Sequence, residues 1–291
     1  MPDRGILIFA YDGSFDGFLS GVFDAFLMKV LPADMVVFDD LEPSLLPIHY
    51  VETNLEHAKR VLFGIDAKLG EMGMYLTERG FLFDGEGKEN AIMYFLWKAF
   101  KEKTSIAKNI GDEEVSRVFK MCTAVNNEAE KHRQFTRFKD YNGALVAEIH
   151  PKHFVLPLIK PFFCGRIKNE HFMIFDAEHG AALVHSPGKT GIIPVENLEI
   201  PTDAEDGFYS ELWRSYYRHI AIAERYNPRC RNTHMPKRFW KSLPEVFEET
   251  EGSFVPKLSF GGSKGIAENL KKESQNRLEN REKRLIIEGE T

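Results

Sequence analysis

The sequence predicts an α+β fold, and three patterns in it do so. Short apolar runs closed by Asp, Gly or Asn have the length and composition of strands. Longer segments with apolar residues at three- and four-residue steps have the period of helices. The two kinds are segregated along the chain: a small N-terminal sheet with helices, a central long helix with an antiparallel meander, and a C-terminal helical segment. The matching parts are residues 1–110, residues 111–249, which can form one globule with the first, and a charged tail at 250–291.

Residues 6–9 (ILIF) open as a strand, stopped by Asp12-Gly13-Ser14. Phe15, Phe18, Leu19, Val22, Phe23, Phe26 and Val30 then give a helix with one wide apolar face. Asp12 and Ser14 suit its cap, and Gly13 suits a sharp turn with positive φ. The free N–H groups of such a helix start can hold a phosphate, which makes Asp12, Gly13 and Ser14 candidate binding residues. Capping alone explains the same residues.

Residues 35–38 and 48–51 are strand-like, so a small sheet with the first helix on one face is expected. Asn54 caps a helix to about residue 68, and Gly70, Gly73 and Gly80 leave the next stretch undefined. A helix follows at 89–103, after a loop (84–88) without the spacing of a phosphate-binding P-loop. Asp112 caps a long helix toward Arg137, with Val115, Val118, Phe119, Cys122 and Val125 inward and a polar later part. Asn142-Gly143 marks a turn, 145–149 a strand, and 153–163 a helix containing Pro157 and Pro161. Three strands at 172–176, 182–185 and 192–195 form the expected meander. A helix from Asp206 ends at Asn227-Pro228, and a short one lies between Pro236 and Pro244. The tail at 250–291 loses apolar content and reads as a linker with a solvated helix, partly disordered.

Composition excludes some classes. At 291 residues and 43 % hydrophobic content, the chain can bury one large or two ordinary cores. No apolar run approaches the ~20 residues of a membrane helix, and no secretory leader opens the chain, so a soluble cytoplasmic protein is expected. Three distant cysteines fit neither a disulfide framework nor a zinc knuckle. No Ser–His–Asp order, redox Cys pair, Rossmann glycine pattern or radical-SAM cysteine triplet is present, and no cofactor is visible. His150, His153, His171, Asp176, His179 and His185 fall within 36 residues, but their spacing matches no metal motif, so none is assigned.

Charge is uneven. The net value is −6, yet residues 210–241 carry eight Lys or Arg against two Glu, and 117–139 carry six against two. Local basic stretches can engage a polyanion whatever the global charge. Arg214, Arg218, Lys237 and Arg238 are candidate phosphate contacts, with Trp240 a candidate stacking partner for bases. The competing reading is a solvated basic face over core aromatics. Glu128 and Asp176 are candidate acid–base groups, with Arg137 and Arg166 to gather a phosphate. Buried ion pairs of Glu128 and Arg137 that join the long helix to the sheet are the structural alternative.

Four blocks in order, YDGSFDGFLSGVFDAF (11–26), EAEKHRQFTRF (128–138), residues 155–176 with VLPLIKPFFCGRI and FMIFD, and HMPKRFWKSLPE (234–245), resemble a bacterial family of unknown function placed in DNA metabolism. The resemblance covers residues ~4 to 245. It implies a role in DNA modification or repair, a radical SAM protein as partner, and a uracil-DNA-glycosylase-like protein, which some members carry as a joined domain. Asp12, Glu128, Arg137, Arg166 and Asp176 match the family pattern, whereas Glu130, Lys131, Phe162 and His179 depart from it. Those departures put any family activity in doubt for this chain. A strand followed by YDGS also opens certain tRNA pseudouridine synthases, but their Arg-Thr-Asp-Ala-Gly segment is missing here.

The functional expectation is therefore a DNA-metabolism or repair protein that binds nucleic acid or nucleotide phosphate and works with a radical SAM partner. The alternatives are an enzyme acting on a nucleotide or DNA base through Glu128 and Asp176, and a non-catalytic protein-interaction adaptor.

Overall fold

The fold is α+β in a computed structural model that describes residues 5–102, 111–141, 143–195, 213, 216, 225 and 227–243. Strand β1 (Ile8–Tyr11) is fully buried and lies between β2 (Asp34–Val37) and β3 (Ile48–Tyr50), both parallel to it. The opening strand starts two residues later than the apolar run suggests, because Ile6 lies outside the sheet and is exposed. Helix α1 (Phe15–Met28) crosses from β1 to β2. Its Phe18, Leu19 and Val22 pack into a first core with Phe9, Ile65, Phe95 and Leu96.

Helix α2 (Leu55–Phe81) starts at the Asn54 cap and continues through the stretch that the glycines left undefined. The chain bends at Gly70, whose φ of 63° and ψ of −162° lie outside the helical region, and then resumes to bury Leu76, Thr77 and Gly80. Helices α3 (Lys88–Glu102) and α4 (Glu113–Phe135) close this half. Asp112 caps α4 through the N–H groups of Glu114 and Val115, as expected.

The later sheet has the order β4-β5-β6-β7-β8: Lys139–Tyr141, Ala144–Ile149, His171–Asp176, Ala181–Ser186 and Lys189–Pro194. Strands β6 to β8 form the expected antiparallel meander. Two features were not expected: a short β4, and a parallel β5–β6 pair joined across helix α5 (Leu156–Arg166). A parallel neighbour needs a crossover of this length, whereas periodicity alone gives no strand direction. A second core gathers Val125, Ile149, Leu156, Ile159, Phe172 and Leu183. Helix α4 serves both cores, changing from one to the other between Cys122 and Val125, and Phe83 packs against both.

At the C-terminal side, Asn227-Pro228 begins a helix where the sequence suggested an end. Asn227 accepts the Cys230 N–H at 3.0 Å and caps α6 (Pro228–His234). Proline is at home at a first helical position because its missing N–H has no partner there anyway. A 3₁₀ segment follows at Lys237–Ser242, and Phe239, Trp240 and Leu243 pack against Phe135 and Met235. Apart from residues 213, 216 and 225, the expected helix from Asp206, with Arg214 and Arg218, lies outside the described residues, as does the 250–291 tail.

The carboxyl end of β1 is closed by its own side chains. Gly13 takes φ 78°, and Ser14 caps α1 by accepting the Gly17 N–H at 2.9 Å. Asp12 accepts the Ser14 N–H at 3.0 Å, the Ser14 hydroxyl at 2.7 Å and the Thr53 hydroxyl at 2.7 Å. Partial burial works against the charge of Asp12, but the hydrogen bonds from Ser14 and Thr53 outweigh it and hold the carboxyl below its ordinary value. Asp12 thus holds the cap residue and Thr53, while the first-turn Gly17 N–H goes to the Ser14 hydroxyl. A Cβ at Gly17 would lie 2.1 Å from Asp12 Oδ1 and 2.9 Å from Thr53 Oγ1. Gly17→Ala is expected to destabilise the protein by about 1–3 kcal/mol through overpacking, despite the better helix propensity of Ala. Urea unfolding measures it, and an unchanged or raised midpoint would refute the tight turn.

Candidate functional site

The buried stripe of α4 runs Val115, Val118, Met121, Cys122, Val125, Glu128, Ala129, His132. Its apolar members step at three or four residues, and Glu128 and His132 occupy the next positions of the same stripe. A carboxylate and an imidazole therefore enter the interior where the helical period would place apolar side chains. Buried charge is costly unless it is paired and hydrogen-bonded.

Glu128 is paired from three directions. The Arg238 guanidinium grips it with both terminal nitrogens, Nη1 donating to Oε1 at 2.8 Å and Nη2 to Oε2. The Lys152 N–H donates to Oε1 at 3.0 Å. His132 Nε2 stands 3.5 Å from Oε1, close enough for ion pairing but without hydrogen-bond geometry. Burial pushes the Glu128 carboxyl up, but His132, Arg238 and the Lys152 N–H outweigh it and hold the group well below the usual carboxylate range. A carboxylate so held is a poor proton acceptor. Its chemistry is that of an anchor.

A second group lies across the loop that follows α2. His153 is buried, and its Nδ1 accepts the Asp84 N–H at 3.2 Å, which leaves the proton of the neutral ring on Nε2. Its ring lies 4.5 Å from that of Phe83. Burial is the main cause that lowers the pKa of His153, against the opposing pull of Glu128 and Asp84. The Phe154 N–H donates to the Leu82 carbonyl at 3.1 Å and ties the two loops together.

Asp176, fully buried at the end of β6, accepts the Glu178 and His179 N–H groups at 3.1 Å each through Oδ1. Its Oδ2 lies 2.7 Å from His179 Nδ1. That hydrogen bond is the first cause of a raised His179 pKa, with burial opposing it and the charges of Asp176, Asp84 and Glu178 adding to it. His179 Nε2 is buried without a hydrogen-bond partner and lies 3.8 Å from Asp84 Oδ2. Two histidines thus flank Asp84, one favoured charged and the other favoured neutral. Opposed environments of this kind characterise acid–base sites.

The predicted residues divide accordingly. Glu128 and Arg238 meet directly, and Asp176 joins their neighbourhood through His179, Asp84 and His153. Asp12 lies at the N-terminal turn, engaged with Ser14 and Thr53. Arg137 Nη1 donates to the Gln134 and Thr136 carbonyls, and Arg166 is exposed at the end of α5 with its guanidinium 6.0 Å from the Phe162 ring centroid. Lys237 and Arg231 lie over the Trp240 ring at 5.7 and 4.9 Å, and its indole N–H donates to the Met235 carbonyl at 3.0 Å. Trp240 is buried rather than presented to solvent.

Sequence reasoning missed His132 and Asp84, and named His153 and His179 only within a histidine cluster to which no role was assigned. A polar residue breaking into an apolar stripe was the available signal for His132; the others depend on loop contacts. Of the departures from the family pattern, Glu130 pairs on the exposed face of α4 with Arg133 and Gln134, while His179 is inside the site. The six clustered histidines and carboxylates do not form one set: His150 pairs with Glu148 and Glu178, His171 with Ser186, and His185 with Thr190. No group of three or more metal-type ligands occurs among the described residues. Burial pushes the Cys122 thiol up to about 12, which leaves it protonated and inert.

A family model described as a domain of unknown function, DUF4130, matches residues 86–245. No curated protein and no solved structure matches the chain. The matched span contains Glu128, His132, His153, Asp176, His179 and Arg238. Asp84 lies two residues ahead of it, and the three-stranded sheet precedes it.

Glu128→Gln removes the charge but leaves Arg238 in place; because Glu128 is buried while Arg238 is partly open to solvent, the cost is expected to be about 1–3 kcal/mol, below that of a fully buried pair. The folded-state pKa of Glu128 lies below its ordinary 4.5. Its contribution is therefore full above about pH 4.5 and lost as pH falls toward the folded value. Wild-type stability should fall through that acid range, and the variant's should fall less steeply. Parallel pH profiles in urea titrations would contradict the pairing.

Proposed function

The chain belongs to the DUF4130 family, and from that premise we propose that it is a DNA-metabolism protein that binds nucleic acid or nucleotide phosphate through its C-terminal basic segment. One observation carries the reading. From Pro228 to Ser242 the sequence holds Arg229, Arg231, Lys237, Arg238 and Lys241 and no carboxylate, and Glu128 fixes this segment to α4 through Arg238. Arg229 and Lys237 are exposed, and Arg231 and Lys237 cover the buried Trp240. Binding on such a face is electrostatic, directed at phosphates, with Trp240 as its support rather than a stacking platform.

The resemblance of the four sequence blocks supports a role in DNA repair or modification alongside a radical SAM protein and a uracil-DNA-glycosylase-like protein. Iron–sulfur chemistry, where the pathway needs it, is then the partner's. No helix among the described residues is long and apolar enough to cross a membrane. A second reading, an enzyme acting on a nucleotide or DNA base, is favoured by the Asp176–His179 pair, with Glu128 as its anchor.

The full chain should bind a single-stranded oligonucleotide with strong salt dependence. Replacing Arg229, Arg231 and Lys237 together by Ala should weaken binding about tenfold or more at low salt. The same change should lower the slope of log K against log salt by roughly two, on the counterion count for three lost contacts. Equal retention of mutant and wild type on the oligonucleotide at low salt would remove the proposal.

A further inference from the structure

The two edges of the three-stranded sheet are finished differently. At the β2 edge the outward N–H of Met35 donates to Asn90 Oδ1 at 3.0 Å, and Asn90 also holds the Asp34 carboxylate, so α3 closes that side. At the β3 edge the ladder with β1 uses alternate residues. Pro47 accepts the Ile8 N–H at 3.0 Å and Val51 donates to the Ala10 carbonyl at 2.8 Å, with Ile48, His49 and Tyr50 in parallel register opposite Ile8, Phe9 and Ala10. Successive residues of a strand send their backbone groups to opposite sides. Those of Ile48 and Tyr50 therefore point away from β1. Among the described residues no strand lies beyond β3, and these groups meet no partner there.

The side chains beside this edge are apolar. Tyr50 is 61 % exposed, its ring 6.0 Å from that of exposed Phe38, and exposed Leu45 and Leu46 lead into the strand. His49 points to the opposite face, where it meets Asp24 of α1 and the Phe9 ring. A further strand adds at such an edge, with backbone bonds supplying the pairing and side chains the selection.

Charge decides which strand. Residues 30–58 hold six Asp or Glu and no Lys or Arg. Asp39, Asp40, Glu42 and Glu52 stand on either side of β3 in the sequence, all exposed and none in an ion pair among the described residues. A second copy of this edge would bring the same carboxylates against these, and nucleic acid or an anionic lipid surface would be repelled. A strand carrying Lys or Arg is attracted instead.

We propose that β3 is a docking edge for an extended segment of a partner protein in which Lys or Arg alternates with apolar residues. The segment pairs with the backbone of Ile48 and Tyr50, lays apolar side chains against Tyr50 and Phe38, and directs its cations to the flanking carboxylates. This edge precedes the span that matches the family model and is separate from the C-terminal basic segment, so the inference does not rest on the nucleic-acid reading.

The test follows amide hydrogen exchange of Ile48 and Tyr50 by NMR in the full chain. Both amides should exchange fast in the free protein. A short peptide alternating Lys with Val, at saturation, should slow both about tenfold or more, as newly paired edge amides. A peptide alternating Glu with Val should not, nor should the Lys–Val peptide N-methylated along its pairing edge. Asp39→Lys combined with Asp40→Lys, at exposed positions that spare the core, should weaken the Lys–Val peptide about tenfold or more, with an unchanged urea midpoint. Slow exchange in the free chain, or protection that grows with protein concentration alone, overturns the proposal. So does protection by an oligonucleotide, no protection by the Lys–Val peptide, equal protection by all three peptides, or undiminished binding by the double variant.

Discussion

A carboxylate buried in the middle of a long helix has to find positive charge, and in this protein it finds it 110 residues further along the chain. The Glu128–Arg238 pair is the constraint around which the later half is arranged. It fixes the 3₁₀ segment against α4, seats Phe239 and Trp240 over Phe135, and recruits the Lys152 N–H from the loop between β5 and α5. An ion pair with one buried member gives little net stability over a well-packed apolar contact, but losing Arg238 would leave the buried Glu128 charge uncompensated. The pair is therefore better understood as fixing which surface the basic segment sits on.

The histidines beyond this pair are ordered by the same need to satisfy buried polar atoms. Asp84 supplies a backbone N–H to His153 and faces His179 with its carboxylate, so one loop residue addresses two imidazoles in opposite electrostatic settings. Burial lowers the pKa of His153, and the hydrogen bond to Asp176 raises that of His179. Both rings also touch aromatic neighbours, Phe83 and Phe154. The loop lies where the two cores meet, since Phe83 belongs to the rim of each.

The N-terminal turn shows the opposite outcome for a similar set of residues. Asp12, Ser14 and Thr53 satisfy one another at the carboxyl end of a parallel sheet, a place where α/β folds commonly receive ligands. Here the side chains close the turn, and Gly17 makes room for them. Glu128, His153, Asp176, His179 and Arg238 all lie in the span that matches the DUF4130 model, with Asp84 just ahead of it.

Much of this architecture was legible in the sequence because local rules decide it. The caps at Ser14, Asn54 and Asp112, the helical stripes, the β6–β8 meander and the α+β class follow from residue type and period alone. Glu128, Asp176 and Arg238 could be picked out as candidates for the same reason, as charged residues in distinctive segments. Their roles could not. Whether Arg238 meets a phosphate or Glu128, whether β5 runs parallel to β6, and whether His179 turns toward Asp84 depend on contacts between segments tens of residues apart. Side-chain period carries no information about such contacts, and burial sets the protonation of each group only once the segments have met.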